Sequence, residues 1–282
     1  MISISANLTP EKFLKTAGPW LEKNEVRNNL ILGIASNIAK KPLDQRQEHY
    51  FWVVKKDKVV AGAAFWTPPF KLNLTHMEPE VLMALAKKII KSHSKIPGVH
   101  GPKELMPSFI RAWNAPGLQA ELEMSARLYQ LEKVETVPPA PGALRQAGPK
   151  DLELLTQWCV LFRQEIQAPE KINEKELVEG YIREGRLFVW EQGACLAMAG
   201  FGGITANGAR INMVYTPPGY RKRGYASNLA AALSQRLLDS GKKFCVLYTD
   251  LLNPTSNHIY QKMGYEPVCD WDGYSFQEFK SL

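Results

Sequence analysis

Long apolar runs are missing from this 282-residue chain. No stretch approaches the ~18 uninterrupted apolar residues of a membrane-spanning helix, so no membrane partner is expected. Cysteine is sparse: Cys159, Cys195, Cys245 and Cys269 are scattered, with no C-x-x-C pair. That excludes a disulfide framework and a zinc ribbon and suits buried thiols in a reducing compartment. The five histidines (His49, His76, His93, His100 and His258) lack metal-ligand spacing, so no metal is expected. The opening residues have neither the basic start nor the apolar core of a signal peptide, and a cytoplasmic location is the expectation. Charge of one sign is not concentrated either. The formal net charge is +7, but Lys and Arg are interleaved with Glu through most of the chain. A nucleic-acid binder gathers such charge on one face or tail, so nucleic acid is not the expected partner.

What is present is ordinary globular composition, 45% hydrophobic and 22% charged, in a length that suits two domains. The segment Val137-Pro138-Pro139-Ala140-Pro141-Gly142 divides the chain near its middle and reads as a linker. The expected organisation is a first domain over 1–136, a linker over 137–142 and a second domain over 143–282.

In the first half, Thr9-Pro10-Glu11-Lys12 has the cap, proline and acid of a helix start. That helix is expected to reach Lys23, and Leu30, Ile31, Ile34 and Ile38 mark a second over 26–39. Residues 50–54 and 59–66 read as a hairpin around Lys55-Lys56-Asp57-Lys58. Helices follow over 78–92 and 102–113, with short strands over 98–101 and 125–134. In the second half, helices are expected over 148–167 and 174–183, then a hairpin of 186–191 and 194–202 around Gln192-Gly193. The remaining order is strand 210–216, helix 225–238, strand 243–249, helix 255–263 and a last strand over 267–276. The fold class is therefore α/β, a mixed sheet flanked by helices. The halves echo each other in element order, and residues 67–73 are the expected counterpart of the second half's basic turn.

The most informative stretch is Val214-Tyr215-Thr216-Pro217-Pro218-Gly219-Tyr220-Arg221-Lys222-Arg223-Gly224-Tyr225-Ala226. A strand enters a Pro/Gly turn, passes three cations and opens directly into a helix. The first backbone N–H groups of a helix have no intrahelical partner and, with the helix dipole, attract anions. Arg221, Lys222 and Arg223 add charge, while Gly224 and Ala226 leave room beside the backbone. A pyrophosphate is the natural ligand. Arg221 to Ala226 fits the pattern [Gln/Arg]-x-x-Gly-x-[Gly/Ala], and Asn253 to Tyr265 fits Asn-…-Tyr-x-x-x-Gly-[Phe/Tyr].

On these two motifs, residues 143–276 resemble the GNAT superfamily of acyl-CoA-dependent N-acyltransferases, most nearly its glycine N-acyltransferase-like branch. The resemblance implies two GNAT-like modules, the first degenerate. It implies acetyl-CoA as co-substrate, a primary amine of a small molecule or peptide as acceptor, and no metal. It places the pantetheine arm along Val214, Tyr215 and Thr216 and the pyrophosphate on Arg221, Lys222, Arg223, Gly224, Tyr225, Ala226 and Ser227. Asn253 and Ser256 are then further cofactor contacts, and Tyr260 is the catalytic acid for the departing thiolate. A tyrosine is protonated at neutral pH, the correct starting state. The general base is not assigned: the central strand offers only Asn212, and Glu165, Glu191, Asp250 and His258 are not separated by spacing.

Each motif also has a plainer reading. The basic turn is an ordinary solvated turn if the downstream segment is ignored, and Tyr260 is a core tyrosine if Ile259 and Met263 mark a buried helix face. Cys245 lies in an expected buried strand without a neighbouring base, which disfavours a thiol nucleophile. The alternative to an enzyme is a non-catalytic acyl-CoA sensor with the same cofactor site. Oligomeric state is not legible.

Overall fold

A computed structural model describes residues 1–93, 95–113, 118–168 and 172–278. Backbone contacts divide the chain into two compact units. The first is Met1–Leu128, Asp250–Leu252 and Val268–Leu282; the second is Tyr129–Thr249 and Asn253–Pro267. The Pro-rich segment 137–142 thus lies within the second unit.

The first unit runs β1 (Ile2–Ser5), α1 (Pro10–Leu21), α2 (Asn29–Ala39), β2 (Tyr50–Lys56), β3 (Val59–Trp66), β4 (Leu72–Leu74), α3 (Pro79–Ser92), β5 (Gly98–Pro102), α4 (Met106–Trp113) and β6 (Leu118–Leu131), whose last three residues group with the second unit. The strands β1 to β5 neighbour one another in that order. All pairs are antiparallel except β4 with β5. Alternation along β2 explains its unbroken apolar run. Phe51 and Val53 pack with Phe13, Ala17 and Leu21 of α1, while Trp52 and Val54 pack with Leu82, Leu85 and Ile89 of α3. Both sheet faces are covered, so both sets of side chains are buried. The hairpin turn at Asp57 and Lys58 has both residues at positive φ, 50° and 69°, which matches the twist of the strands it joins.

The second unit repeats the order: β7 (Ala143–Gln146), α5 (Leu152–Glu165), α6 (Glu174–Arg183), β8 (Leu187–Gln192), β9 (Ala194–Gly202), β10 (Gly208–Tyr215), α7 (Tyr225–Asp239), β11 (Phe244–Asp250) and α8 (Pro254–Lys262). A final strand, β12 (Glu266–Glu278), leaves this unit after Pro267; its Trp271 to Ser275 pair antiparallel with Pro102 to Gly98 of β5 in the first unit. The sheet order β7-β8-β9-β10-β11 matches that of β1 to β5, again with only the last pair parallel. The α7 segment is rich in Ala and Leu, strong helix formers. It buries Tyr225, Leu229, Leu233 and Leu237, spaced four apart, against Phe188, Ala197, Ile211 and Leu247. Each buried leucine contributes about 1.5–3 kcal/mol. On the opposite sheet face, Trp158 and Cys159 of α5 and Val178 of α6 meet Leu187, Val189 and Tyr215.

The architecture is the expected α/β class, with mixed sheets and flanking helices. Three short strands (β1, β4 and β7) were not expected from sequence, and β6 starts seven residues before the expected Ser125. One expectation is corrected. The counterpart of the basic turn in the first unit is not 67–73, because β4 begins only at Leu72; the β4–α3 turn is 75–78.

Candidate active site

The strands β10 and β11 run parallel but pair only at Gly208 with Phe244, Ala209 with Cys245 and Arg210 with Val246. Both continue beyond that point, to Tyr215 and Asp250, without further mutual register. The edge of β10 after Arg210 therefore faces a gap with unpaired backbone groups, the arrangement that accepts a strand-like ligand. Its other edge is irregular too. Asn212 pairs with Gly200 and Tyr215 with Met198, so two residues of β10 oppose one of β9. Met213, at φ 51°, forms this bulge, an unusual conformation for a side chain of its size. The bulge turns the backbone at Met213 and Val214 out of the ladder beside the gap. Tyr215 itself is buried against Trp158 and Phe162, so what it offers a ligand is backbone.

The turn after β10 contains a short 3-10 segment, Pro218–Tyr220, then Lys222 at φ 62° and Gly224 at φ 80°. Residues in the left-handed region on either side of Arg223 curl consecutive N–H groups into an anion-binding concavity. Gly224 is the N-cap of α7 and has no side chain to cap it. Asn228 makes the first intrahelical bond, to the Gly224 carbonyl (3.0 Å), which leaves the N–H groups of Tyr225, Ala226 and Ser227 open. The first turn of α7 contains no acid. The Asn228 side chain donates to the carbonyls of Gly224 (3.0 Å) and Pro138 (2.9 Å), which fastens the Pro-rich segment to the helix start.

The three cations of the turn are not equivalent. Arg221 donates through Nε to the Thr216 carbonyl (2.8 Å), and its Nη2 pairs with Glu165. Its job is to brace the turn. Lys222 and Arg223 are exposed and have no carboxylate partner among the described residues. The first unit presents the opposite charge at the equivalent place. Glu78 stands at the N-cap position of α3, without a side-chain capping bond, and Glu80 lies in its first turn, both paired with Lys56.

The third piece is α8. The Asn253 carboxamide oxygen accepts from the Ser256 N–H (3.0 Å), and Pro254 occupies the first helical position. Asn257 donates to the Asn253 carbonyl (2.8 Å) and accepts from the Tyr129 hydroxyl (3.0 Å). Tyr260, one turn on, meets Tyr265 edge-to-face with ring centroids 5.6 Å apart. The Tyr265 hydroxyl is bonded to Ser234 (2.9 Å), whereas the Tyr260 hydroxyl has no hydrogen-bond partner among the described residues. Burial pushes the Tyr260 phenol up to about 12, so it holds its proton across the physiological range.

Two candidate bases are already committed: Glu165 to Arg221, and Glu191 to Arg145 at 2.8 Å. Asp250 accepts from the Leu252 N–H (2.8 Å), and His258 is exposed. Burial raises the thiols of Cys159 and Cys245 to about 11 and 12, the wrong direction for nucleophiles. Among the described residues no group of three or more His, Cys, Asp and Glu could hold a metal, and no helix is long and apolar enough to cross a membrane. Sequence reading missed Asn257, Tyr129, Tyr181 and Arg186. Their roles depend on partners distant in the chain, and no local pattern marks them.

Parallel strands that part beside a bulge thus stand next to an uncapped helix start that follows a basic turn. Residues 154–265 match the profile of the Acetyltransferase (GNAT) family. No curated protein matches the chain. Among solved structures, a Drosophila protein aligns at 11% identity and TM-score 0.70, over 97% of this chain and 98% of that one. A tandem GNAT protein from the clavulanic acid biosynthesis pathway aligns over both full lengths at 12% identity and TM-score 0.59. A GNAT-family acetyltransferase from Colwellia psychrerythraea aligns over 98% of this chain and all of the other at 13% identity and TM-score 0.57. At these identities the likeness is one of fold.

Proposed function

We propose that the second unit is an N-acetyltransferase that moves the acetyl group of acetyl-CoA directly to a primary amine of a small molecule or peptide. The observation that carries this reading is the gap between β10 and β11 beyond Arg210, beside the uncapped start of α7. The pantetheine arm, an extended amide chain, takes the place of the missing strand partner along Val214 to Thr216. The open N–H groups of Tyr225, Ala226 and Ser227, with Lys222, Arg223 and the left-handed Gly224, hold the pyrophosphate. Arg221 keeps that turn in shape. Asn253 and Ser256 bind the arm where it passes α8.

Acetyl-CoA supplies the activated acyl group. The backbone freed at Met213 and Val214 donates to the oxygen on which negative charge develops. Tyr260 offers its phenolic proton to the departing sulfur, and the amine gives up its own proton to water or a base. Holding both reactants in one cleft supplies much of the acceleration, and no covalent enzyme intermediate is required.

The test is calorimetry of the full chain with acetyl-CoA, free CoA and ATP, followed by thiol release over a panel of amines. Binding of the CoA species with weak ATP binding, and release that depends on an amine, is the expected outcome. Binding without turnover on any amine would make the protein an acyl-CoA sensor. A folded protein that binds no CoA species would overturn the reading.

A further inference from the structure

The side of β10 facing α5 and α6 carries a polar group of residues that the acyl-transfer reading leaves unused. Arg210 and Asn212 alternate onto that face, while Ala209 and Ile211 enter the core under α7. The Arg210 Nη1 is fully buried and has no hydrogen-bond partner among the described residues. The titratable groups that bear on it are the phenols of Tyr181 and Tyr248, with no carboxylate among them. A guanidinium cannot shed its proton in a protein, so this half-buried residue carries a positive charge with no counter-ion among the described residues. Two residues on, the Asn212 carboxamide donates to the Tyr181 hydroxyl (2.9 Å), and its oxygen is buried with no acceptor bond made. One unpaired donor group of positive charge and one unpaired acceptor thus stand side by side on the same strand face.

The neighbouring strand brings only backbone opposite both, and the side chains of Asn212, Tyr181 and Arg186 pack against it. Gly202 lies opposite Arg210 and Gly200 opposite Asn212. A Cβ at Gly202 would come within 3.3–3.4 Å of Arg186 Nη1, Asn212 Nδ2 and the Tyr181 hydroxyl, and one at Gly200 would meet Asn212 Oδ1 at 2.9 Å. Arg186 lies over the Tyr181 ring at 4.2 Å and is paired with Glu184, so it shapes the wall and leaves Arg210 as the uncompensated charge. The order along β10 then has chemical meaning. Arg210 comes first and Asn212 follows about 6–7 Å on. Met213 and Val214, where the acyl carbonyl is held on the proposed reading, come next.

We infer that the acceptor is an amine that carries its own anionic group, a carboxylate or a phosphate, with the anion on Arg210 and the amine nitrogen donating to Asn212. This rests on the proposed acyl-transfer function. Asn212 aligns the nitrogen toward the bulge, and Arg210 selects molecules with negative charge on the side away from it. Polyamines and exposed lysine side chains, which bring only positive charge, are excluded as good substrates.

The experiment compares matched pairs of amines with acetyl-CoA by thiol release: amino acids against their carboxamides, and glucosamine 6-phosphate against glucosamine. The expected result is kcat/KM at least tenfold higher for the anionic member of one pair, and the pair that responds tells carboxylate from phosphate. In Arg210→Gln that ratio collapses toward one while the Kd for acetyl-CoA holds. Arg210→Lys restores part of it. Equal rates for charged and neutral members in the wild-type protein would overturn the inference even if the variants fail to fold. A separate measurement needs no turnover: the shift in Tm given by each amine alone. If acetyl transfer fails but anionic amines still raise the Tm of the wild-type protein more than that of Arg210→Gln, the acceptor site stands and the acyl-transfer reading falls. If acetyl-CoA binds and is turned over but the anionic preference is absent, the reverse holds.

Discussion

Tyr260→Phe isolates the hydroxyl at the end of α8. The ring packs edge-to-face on Tyr265, and phenylalanine keeps that contact. No described residue is bonded to the hydroxyl, so its removal leaves no buried partner unsatisfied, and global stability should change by less than about 0.5 kcal/mol. The size of the catalytic effect follows from the phenol's environment. Burial raises it to about 12, whereas an alkyl thiol titrates near ~8.5. Full proton transfer from this phenol to a thiolate is therefore uphill by roughly 5 kcal/mol. A hydrogen bond to the developing negative charge on sulfur is the contribution that remains, about 1.5–3 kcal/mol for a charged partner.

Single-turnover kinetics with saturating acetyl-CoA should then show a rate about 10–100-fold lower in the variant. The Kd for acetyl-CoA should be essentially unchanged by calorimetry. The pH profiles of the two proteins should run parallel up to pH 10, because the phenol does not ionise in that range. A rate within twofold of wild type would remove Tyr260 from the chemistry. A loss of more than a thousandfold would refute the hydrogen-bond argument in favour of complete proton transfer.

Gly224→Glu should leave the domain folded, since a Cβ there meets nothing closer than Ala140 Cβ at 3.4 Å. Its φ of 80° adds a cost of about 1–2 kcal/mol for a side chain, and the carboxylate competes for the open N–H groups; calorimetry should show acetyl-CoA binding weakened at least tenfold, and undiminished binding would displace the pyrophosphate from this turn. The acids Glu78 and Glu80 at the start of α3 repel a phosphate, so the stoichiometry should be one acetyl-CoA per chain, and two equivalents bound would contradict it. Asp151 is held below the usual carboxylate range by its hydrogen bonds to Arg145, at 2.8 and 2.9 Å. A lowered folded pKa means that its stabilisation is complete above about pH 4 and is lost as pH falls through the lowered value. Asp151→Asn should cost about 3 kcal/mol at neutral pH in urea titrations and show a flatter acid limb; identical acid limbs would count against the pair.

How much of this was legible depended on whether each feature is local. The helix at Glu174–Arg183 and the hairpin around Gln192-Gly193 were readable because periodicity, an Asn cap and a Gly turn all lie within a few residues of one another. The strands β1, β4 and β7 have three or four residues each, too few for a pattern, and exist because β2, β3 and β8 pair with them. The start of β6 is rich in helix formers, Leu118 to Met124, yet it is strand, an override of local propensity by its place beside β12 in the sheet. The candidate site divides the same way. The cap at Gly224 and the cations announce an anion site because the whole device fits in six residues. The parting of β10 from β11, and the company Arg210 keeps with Tyr181 and Tyr248, come from segments tens of residues apart. A short stretch of sequence shows where the phosphates of a cofactor would bind; the character of the acceptor is written in side chains that meet only after the sheet has formed.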